Sequence, residues 1–374
     1  MLERINRRLR WEWSRAALWL NDHPRRVWHD RFAAARLVPL AGEAAASDRV
    51  AILAIYPKAG IRLPHLRSLR QLQARGYAVF LVSNLPLSVE DLALVRPHVW
   101  LYATRPNFGY DIGAYRAAIR HLAAGPGGLG GLKRLVLTND SIWWPIGDGS
   151  DWLAVADGME AGAAGQGATA PELIGAFTNL GITAAPIGTP QDWTQNAGNP
   201  QFHYCSFALS FGPGLLADPG FLAFWQGLRL TDRKVEMVER GEVALTQWAL
   251  SRGHSHAGTW DISGLPQRLA ALDEPALRQL LAELIIPEDA PLRALRRAIL
   301  DHPDRLRGKA DLINALLGFI AATGPAYALP ALIAGEPGAG LIKVSPLRLD
   351  PEGRAATLRA LAEDAELRHE ADAI

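Results

Sequence analysis

Asn139, Asp140 and Ser141 stand directly after the apolar run Leu135-Val136-Leu137 and its closing Thr138. An apolar run of this kind suits a strand buried on both faces of a parallel or mixed sheet. Polar side chains at the carboxyl end of such a strand lie at the sheet edge, where open α/β sheets bind ligands. A carboxylate there, among neutral oxygen donors, suits a hard divalent cation carried in by a diphosphate. The same residues also make an ordinary strand followed by an Asn-Asp-Ser turn. Trp143, Trp144 and Pro145 come next. Tryptophans beside a polar site stack on sugar faces when exposed and pack under neighbouring elements when buried.

The second pointed stretch runs from Arg105 through Asn107, Gly109, Asp111, Gly113 and Ala114 to Tyr115, opening a helix expected to continue to about residue 122. Asn107 and Gly109 fit a tight turn, Asp111 stands where it can cap the helix, and Gly113 with Ala114 lets another group approach the first turn closely. A helix amino terminus offers free backbone N–H groups to an anion, and Arg105 can pair with a phosphate. A capped loop-to-helix junction alone accounts for Asp111 and the glycines but gives Arg105 and Asn107 no role. The glycine-rich stretch 125–131 carries no charge and no Gly-Lys-Ser or Gly-Lys-Thr, so it reads as a connector and not a phosphate loop.

The elements that must position these residues alternate in type. Strands are expected over 50–56, 78–82, 99–103, 173–178, 206–211 and 254–260, besides the one ending at Asp140. Residues 63–75 carry an apolar helical stripe ended by Gly76, and a short helix covers 89–95. A further helix lies near 151–159. Phe221, Phe224 and Trp225 mark one face of another. Helices over 233–240 and 242–252 are expected to be broken at Gly241, with Gly253 closing the second. Strands alternating with amphipathic helices imply βαβ units and a mostly parallel α/β sheet. Residues 179–200, rich in turn formers, are a candidate lid over the site. Residues 266–374 have leucines at helical spacing and read as a helical appendage, less regular after Gly335. The expected divisions are 1–46, 47–265 and 266–374.

Bulk properties narrow the classes of function. The chain has 374 residues, 49% hydrophobic and 21% charged, with a net charge of +1. Without a global basic field, nucleic acid is not the expected partner. The single cysteine, Cys205, excludes an intrachain disulfide, fits a reducing compartment and reads as a small buried hydrophobe. No stretch suits a membrane-spanning helix or a signal peptide, so a cytoplasmic location is expected. Residues 1–36 carry nine arginines against four acids, interleaved with Trp11, Trp13, Trp19, Trp28 and Phe32. That pattern suits an amphipathic helix on an anionic membrane surface, on the inner face of the cell membrane. It suits equally a helix packed on its own domain, arginine stems covering apolar surface. No zinc spacing appears, because the histidines are scattered and one cysteine cannot build a thiolate site.

Taken in order, the 105–115 stretch and Leu137-Thr138-Asn139-Asp140-Ser141 with Pro145 resemble the rhamnan synthesis protein F family. Those proteins are bacterial glycosyltransferases of cell-surface polysaccharide assembly. The likeness continues in His203-Tyr204-x-Ser206-Phe207, Phe221-x-x-Phe224-Trp225, and Glu242-x-x-Leu245-Thr246 followed by Gly253. It covers roughly residues 50–260. The resemblance implies a GT-A-like fold, a Rossmann-type nucleotide-binding mixed sheet flanked by helices, with a metal-binding acidic motif ending a central strand. Many such enzymes carry Asp-x-Asp; here Asn139-Asp140-Ser141 supplies one carboxylate, which would hold manganese or magnesium weakly without the donor's phosphates.

By the same resemblance, the reaction is displacement at a sugar's anomeric carbon, with inversion. The implied donor is a nucleotide sugar such as dTDP-L-rhamnose, and the acceptor a cell-surface polysaccharide or lipid-linked glycan. Asp140, as metal ligand, and Arg105 would offset charge on the leaving diphosphate. Glu242 would take the acceptor proton, with His203 a second candidate for that role or for acceptor contact. Asn107, Gly109, Asp111, Gly113, Tyr115, Asn139, Ser141 and Trp143 would shape the donor site. A competing reading keeps the fold as a non-catalytic scaffold of a polysaccharide assembly complex. A nucleotidyltransferase is disfavoured, since no lysine-bearing glycine-rich signature lies near the first strand.

Overall fold

Runs of six or seven residues with hardly a charge among them cannot remain half-exposed, and three such runs form the middle of the molecule. The computed structural model describes residues 23–33, 37–147, 150–179, 185–287, 289–302, 305–306 and 308–374. Strands β2 (Arg49–Ile55), β3 (Ala78–Ser83) and β5 (Arg134–Asn139) are buried almost throughout. They run parallel with β4 (Leu101–Thr104), and β1 (Leu40–Ala41) adds an antiparallel outer edge. On the far side of β5 the direction changes. β10 (Ala208–Phe211) is antiparallel to both β5 and β7 (Leu173–Gly175), and β11 (His256–Gly258) closes the sheet parallel to β7. The order is β1-β4-β3-β2-β5-β10-β7-β11, the mixed α/β sheet that the resemblance implied, less parallel than the alternation of elements alone suggests. Three short pieces stand outside it: β6 (Ile142–Trp143) pairs with β12 (Ile342–Lys343), and β8 (Thr178–Asn179) with β9 (His203–Tyr204).

The strands' twofold alternation sends Val50, Ile52, Phe80 and Val82 to one face and Ala51, Leu53, Val79 and Leu81 to the other. Each face becomes a core. Helix Tyr110–Ala124 covers the first with Tyr115, Ala118, Ile119 and Leu122, joined by Phe221 and Trp225 of helix Pro219–Gly227. Helices Leu63–Ala74 and Trp152–Gly165 cover the second with Leu69, Leu72, Trp152 and Leu153. Full burial of each such side chain stabilises the fold by about 1.5–3 kcal/mol.

Two local expectations change. Helix Tyr110–Ala124 is capped by Gly109 in the left-handed conformation (φ 75°) and not by Asp111, which stands in the first turn. Residues 234–251 are not broken at Gly241. Helix Lys234–Met237 passes through a π-helical stretch, Val238–Val243, into helix Ala244–Ser251. A Cβ at Gly241 would lie 2.9 Å from the side chain of Ile112, so the glycine marks close approach to helix Tyr110–Ala124. The extra residue of a π-turn re-aims neighbouring side chains and recurs at functional sites.

After residue 265 the chain is largely helical, and helices Leu265–Ala271, Glu274–Glu283 and Lys309–Thr323 share a third core. Beyond Gly335 it is regular, contrary to expectation, with β12 and helices Pro351–Ala360 and Ala365–Asp372. Trp143 and Ile146 supply the apolar surface against which Ile342, Leu347, Leu361 and Leu367 pack. Arg62 pairs with Glu370, and Arg67 with Asp364, tying this end to helix Leu63–Ala74. The C-terminal residues are thereby fixed against the strand end that carries Asp140.

At the other end, His29 is buried against Phe108, Asp30 accepts from Arg116 at 2.6 Å, and Arg25 pairs with Asp232. Trp28 and Phe32 point outward, 54% and 49% exposed. Most of the basic segment, residues 1–22 and 34–36, lies outside the described residues, as do 180–184 of the candidate lid. Among the described residues no helix is long and apolar enough to cross a membrane.

Candidate active site

The carboxyl ends of β2, β3 and β5 open into one cavity of about 570 Å³, within the range of small-ligand pockets. Tyr56 enters from β2, Asn84 from β3, and Asn139, Asp140 and Ser141 from β5. Asn107, Tyr110 and Asp111 come from the turn and helix start after β4, and His203, Ser206 and Phe207 from the approach to β10. Glu242 reaches in from the π-helical stretch, while Tyr327 and Lys343 close the wall from the C-terminal residues. Parallel strands deliver their polar ends to one edge, and the antiparallel β10 brings the residues before it to that same edge.

A hydrogen-bonded chain crosses the cavity wall. The Lys343 ammonium donates to Ser141 Oγ at 2.8 Å, and Ser141 Oγ donates to Asn139 Oδ1 at 2.5 Å. Asn139 Nδ2 donates to Asp111 Oδ2. Ser206 Oγ lies 3.2 Å from that same oxygen and 2.7 Å from Glu242 Oε1. Glu242 Oε2 stands 3.8 Å from His203 Nε2. Amides and hydroxyls linking carboxyl groups in this way fix side-chain orientation and share protons.

Electrostatics sort the members. Burial pushes the Glu242 carboxyl up to about 7, and the nearby Asp111 charge adds to the rise while the Ser206 hydrogen bond and Lys343 oppose it. The exposed part of its side chain is only 15%, and that residue lines the cavity. Burial also raises Asp111 and lowers His203. His203 Nδ1 lies 2.7 Å from the Gln201 carbonyl and so donates to it, which leaves Nε2 as the lone-pair nitrogen facing Glu242. A carboxyl with its pKa near neutrality, in a cavity, is the profile of a general base. Cys205 also lines the cavity, but burial holds its thiol far above its usual range, so it stays protonated and non-nucleophilic.

Asp140 occupies the strand end as expected. Its Oδ2 accepts the Tyr56 backbone N–H at 2.5 Å and lies 3.7 Å from His65 Nε2. Asn139 Oδ1 is already bonded by Ser141, and an ammonium stands next to that pair. Among the described residues no group of three His, Cys, Asp or Glu side chains could hold a metal ion. Magnesium takes six oxygen ligands in octahedral geometry and is usually held by one or two carboxylates, with substrate phosphates and waters supplying the rest. These side chains do not by themselves make a resident divalent site, and a manganese or magnesium ion here would depend on phosphate oxygens for most of its ligands.

Several residues singled out from sequence lie elsewhere. Arg105 does not face the cavity. Its guanidinium, only 4% exposed, donates to Asn84 Oδ1 at 2.7 Å and to the carbonyls of Phe108 and Tyr110 at 2.5 and 3.3 Å, and meets His29 Nε2 at 3.1 Å. Burial and the neighbouring Arg116 lower it to about 10, so it remains charged. Gly113 is small for the sake of this arginine: a Cβ would lie 2.2 Å from the Phe108 carbonyl and 2.7 Å from the guanidinium. Gly109 caps the helix and packs on Leu230. Tyr115 is wholly buried, its hydroxyl donating to the Ser206 carbonyl at 3.2 Å. Trp143 faces the C-terminal core and not a sugar site. These residues hold the walls in place.

Lys343 and Ser206 carry roles that sequence reasoning missed. Lys343 interrupts the apolar stretch Leu341-Ile342-Val344, a visible oddity in a chain with only five lysines. Ser206 lies inside the His203-Tyr204-x-Ser206-Phe207 motif, but nothing local tells which carboxylates it meets.

No protein-family model matches the chain. A curated relative, the uncharacterized protein y4gN of Sinorhizobium fredii, is 26% identical over 226 residues, 60% of this chain and 51% of that protein. The chain thus spans about half the length of the curated relative it matches. Among solved structures, the mannosyltransferase PcManGT from Pyrobaculum calidifontis, in complex with GDP-Man and Mn2+, is 16% identical with a TM-score of 0.35, covering 93% of this chain and 84% of that one. The mannosyltransferase Ktr4p from S. cerevisiae is 9% identical with a TM-score of 0.23, covering 51% of this chain and 63% of that one. Scores this low carry no argument about this chain.

Proposed function

We propose that this chain is a GT-A-like glycosyltransferase that moves a sugar from a nucleotide diphosphate donor to a hydroxyl of a glycan. The observation that supports it most is the convergence of Asp140, Asp111, Ser206, Glu242 and His203, drawn from four separate parts of the chain, on one cavity at the carboxyl ends of the sheet's parallel strands. In this reading Glu242, held near neutrality by burial, takes the proton from the acceptor hydroxyl. The acceptor oxygen forms a bond to the anomeric carbon as the bond from that carbon to the diphosphate oxygen breaks, and both bonding electrons leave with the diphosphate. Attack from the face opposite the leaving group inverts the centre. His203 contacts the acceptor or holds Glu242 in position. Asp140 and Asn107 orient the donor. Asp140 would be the one carboxylate to hold a manganese or magnesium ion brought with the diphosphate, and such an ion would offset charge on the leaving group.

The donor named by the resemblance is dTDP-L-rhamnose, and the acceptor a cell-surface polysaccharide or lipid-linked glycan. A membrane-borne acceptor gives the arginine- and tryptophan-rich residues 1–36 a purpose as a peripheral anchor on anionic lipid, and the outward Trp28 and Phe32 suit it. The test is direct. Full-length protein is incubated with dTDP-, UDP- and GDP-linked hexoses, with and without manganese, and released nucleoside diphosphate is measured. Release that disappears in Glu242→Gln supports the reading. No release and no binding from any donor would leave a non-catalytic scaffold as the better account.

A further inference from the structure

We propose that Lys343, delivered from the far end of the chain, is the fixed positive charge that receives the donor's diphosphate. The inference rests on the transferase reading and supplies the cation that Arg105, turned inward, does not provide.

A lysine ammonium with 7% of its residue exposed costs free energy unless a counter-charge meets it. Lys343 makes no ion pair with any carboxylate among the described residues. Among the described residues its ammonium makes one hydrogen bond, to a neutral hydroxyl, Ser141 Oγ at 2.8 Å. Below it lies the face of Phe207, 4.1 Å from Nζ to ring centroid, with Tyr327 at 5.4 Å. Aromatic faces stabilise an ammonium and leave its charge unneutralised. An ammonium has three donors; the hydroxyl takes one, and Lys343 lines the cavity into which the others can turn.

The position fits an anion. Ser141 directly follows Asp140, at the strand end where open α/β sheets bind phosphates. Pairing of Lys343 with Ile142 in the β12–β6 ribbon fixes its backbone, and the Ser141 hydroxyl and the Phe207 face hold its ammonium at the cavity. Lysine serves phosphate as a compact point charge. Asp111 and Glu242 both feel this charge, and all three residues line the same cavity.

The test is calorimetric titration of full-length protein in EDTA with dTDP, UDP and GDP and with the matching nucleosides, for wild type, Lys343→Met and Lys343→Arg. Wild type is expected to bind at least one nucleoside diphosphate. Lys343→Met should weaken that binding on the order of 10- to 100-fold, the size of a lost charged hydrogen bond, while nucleoside binding stays unchanged and Lys343→Arg recovers part of the loss. Lys343→Gln replaces the methionine variant if that one does not fold. Equal diphosphate binding by wild type and the neutral variant overturns the proposal and leaves the transferase reading standing. Equal loss for nucleoside and diphosphate overturns it too, since that is damage to the pocket and not loss of a charge. Failure of wild type to bind any of these nucleoside diphosphates in EDTA overturns this inference; the transferase reading falls only if binding and donor release also fail with manganese present.

Discussion

Ser206 Oγ lies 2.7 Å from Glu242 Oε1, and the same oxygen lies 3.2 Å from Asp111 Oδ2. One hydroxyl proton is shared between two buried carboxyl groups, so when it turns to Asp111, Glu242 must hold its own proton or go unsatisfied. With Glu242 near 7, turnover should rise with pH along a limb of apparent pKa close to 7, the pair titrating as a unit. Glu242→Gln should abolish that limb and cut kcat by about 10²- to 10⁴-fold while leaving nucleotide binding nearly unchanged. Ser206→Ala, which removes a hydrogen bond that favours the charged form, should move the limb to higher pH. A pH–rate profile of the three proteins decides it.

The same burial makes a stability prediction. The folded carboxyl of Glu242 is raised from 4.5 to about 7, so the folded state binds its proton more tightly than the unfolded chain. Below pH 4.5 both states are protonated and Glu242 imposes no ionisation cost. Between 4.5 and 7 the unfolded chain loses its proton first, and stability falls; above 7 the loss is complete, at most about 3 kcal/mol. Glu242→Gln lacks this term. Its urea midpoint should therefore match wild type near pH 4.5 and exceed it at pH 8. A variant that loses ground on wild type as pH rises would contradict the burial argument.

Arg105 and Gly113 should behave as scaffold. Gly113→Ala forces a Cβ to 2.2 Å from the Phe108 carbonyl and 2.7 Å from the guanidinium, neither of which can yield without disturbing the helix start. The expected cost is about 1–3 kcal/mol of stability. Arg105→Lys keeps a charge but loses the fork that holds three acceptors. It should lower the melting temperature while leaving nucleoside diphosphate affinity nearly intact in the protein that remains folded. A selective loss of diphosphate affinity without loss of stability would put Arg105 back at the ligand.

What could be read from the sequence follows the range of the forces involved. Val50 to Ile55, Ala78 to Val82 and Leu135 to Leu137 announce buried strands because each run is apolar throughout, and a polar residue ending such a run must stand at the sheet edge. Asp140 was legible for that reason. Arg105 was not, because a guanidinium suits phosphate and backbone carbonyls alike, and only the folded turn brings Phe108 and Tyr110 round to it. Gly241 reads as a helix break from its intrinsic cost, yet packing against Ile112 outweighs propensity. Lys343 meets Ser141 across 202 residues. No local pattern carries that pairing, which depends on the C-terminal core closing over Trp143 and Ile146.

Asp140 separates an enzyme from a scaffold. Its carboxylate accepts the Tyr56 N–H at 2.5 Å, so it helps join the ends of β5 and β2 as well as facing the cavity. Asp140→Asn keeps an acceptor oxygen for that N–H and should preserve the fold, seen as an unchanged melting temperature and an unchanged far-UV spectrum. If the residue only fastens the strands, biological output and any donor turnover should persist. If it orients the donor, or meets a cation that the diphosphate brings, turnover should fall by at least about 10²-fold, the scale seen when one preorganised electrostatic group is removed. Running the assay with manganese titrated from zero divides these two roles. A defect that rising manganese partly restores identifies a ligand, whereas one insensitive to manganese identifies a donor-orienting contact. Asp140→Asn with full turnover would remove Asp140 from the reaction and shift the weight of catalysis to Glu242 and Lys343.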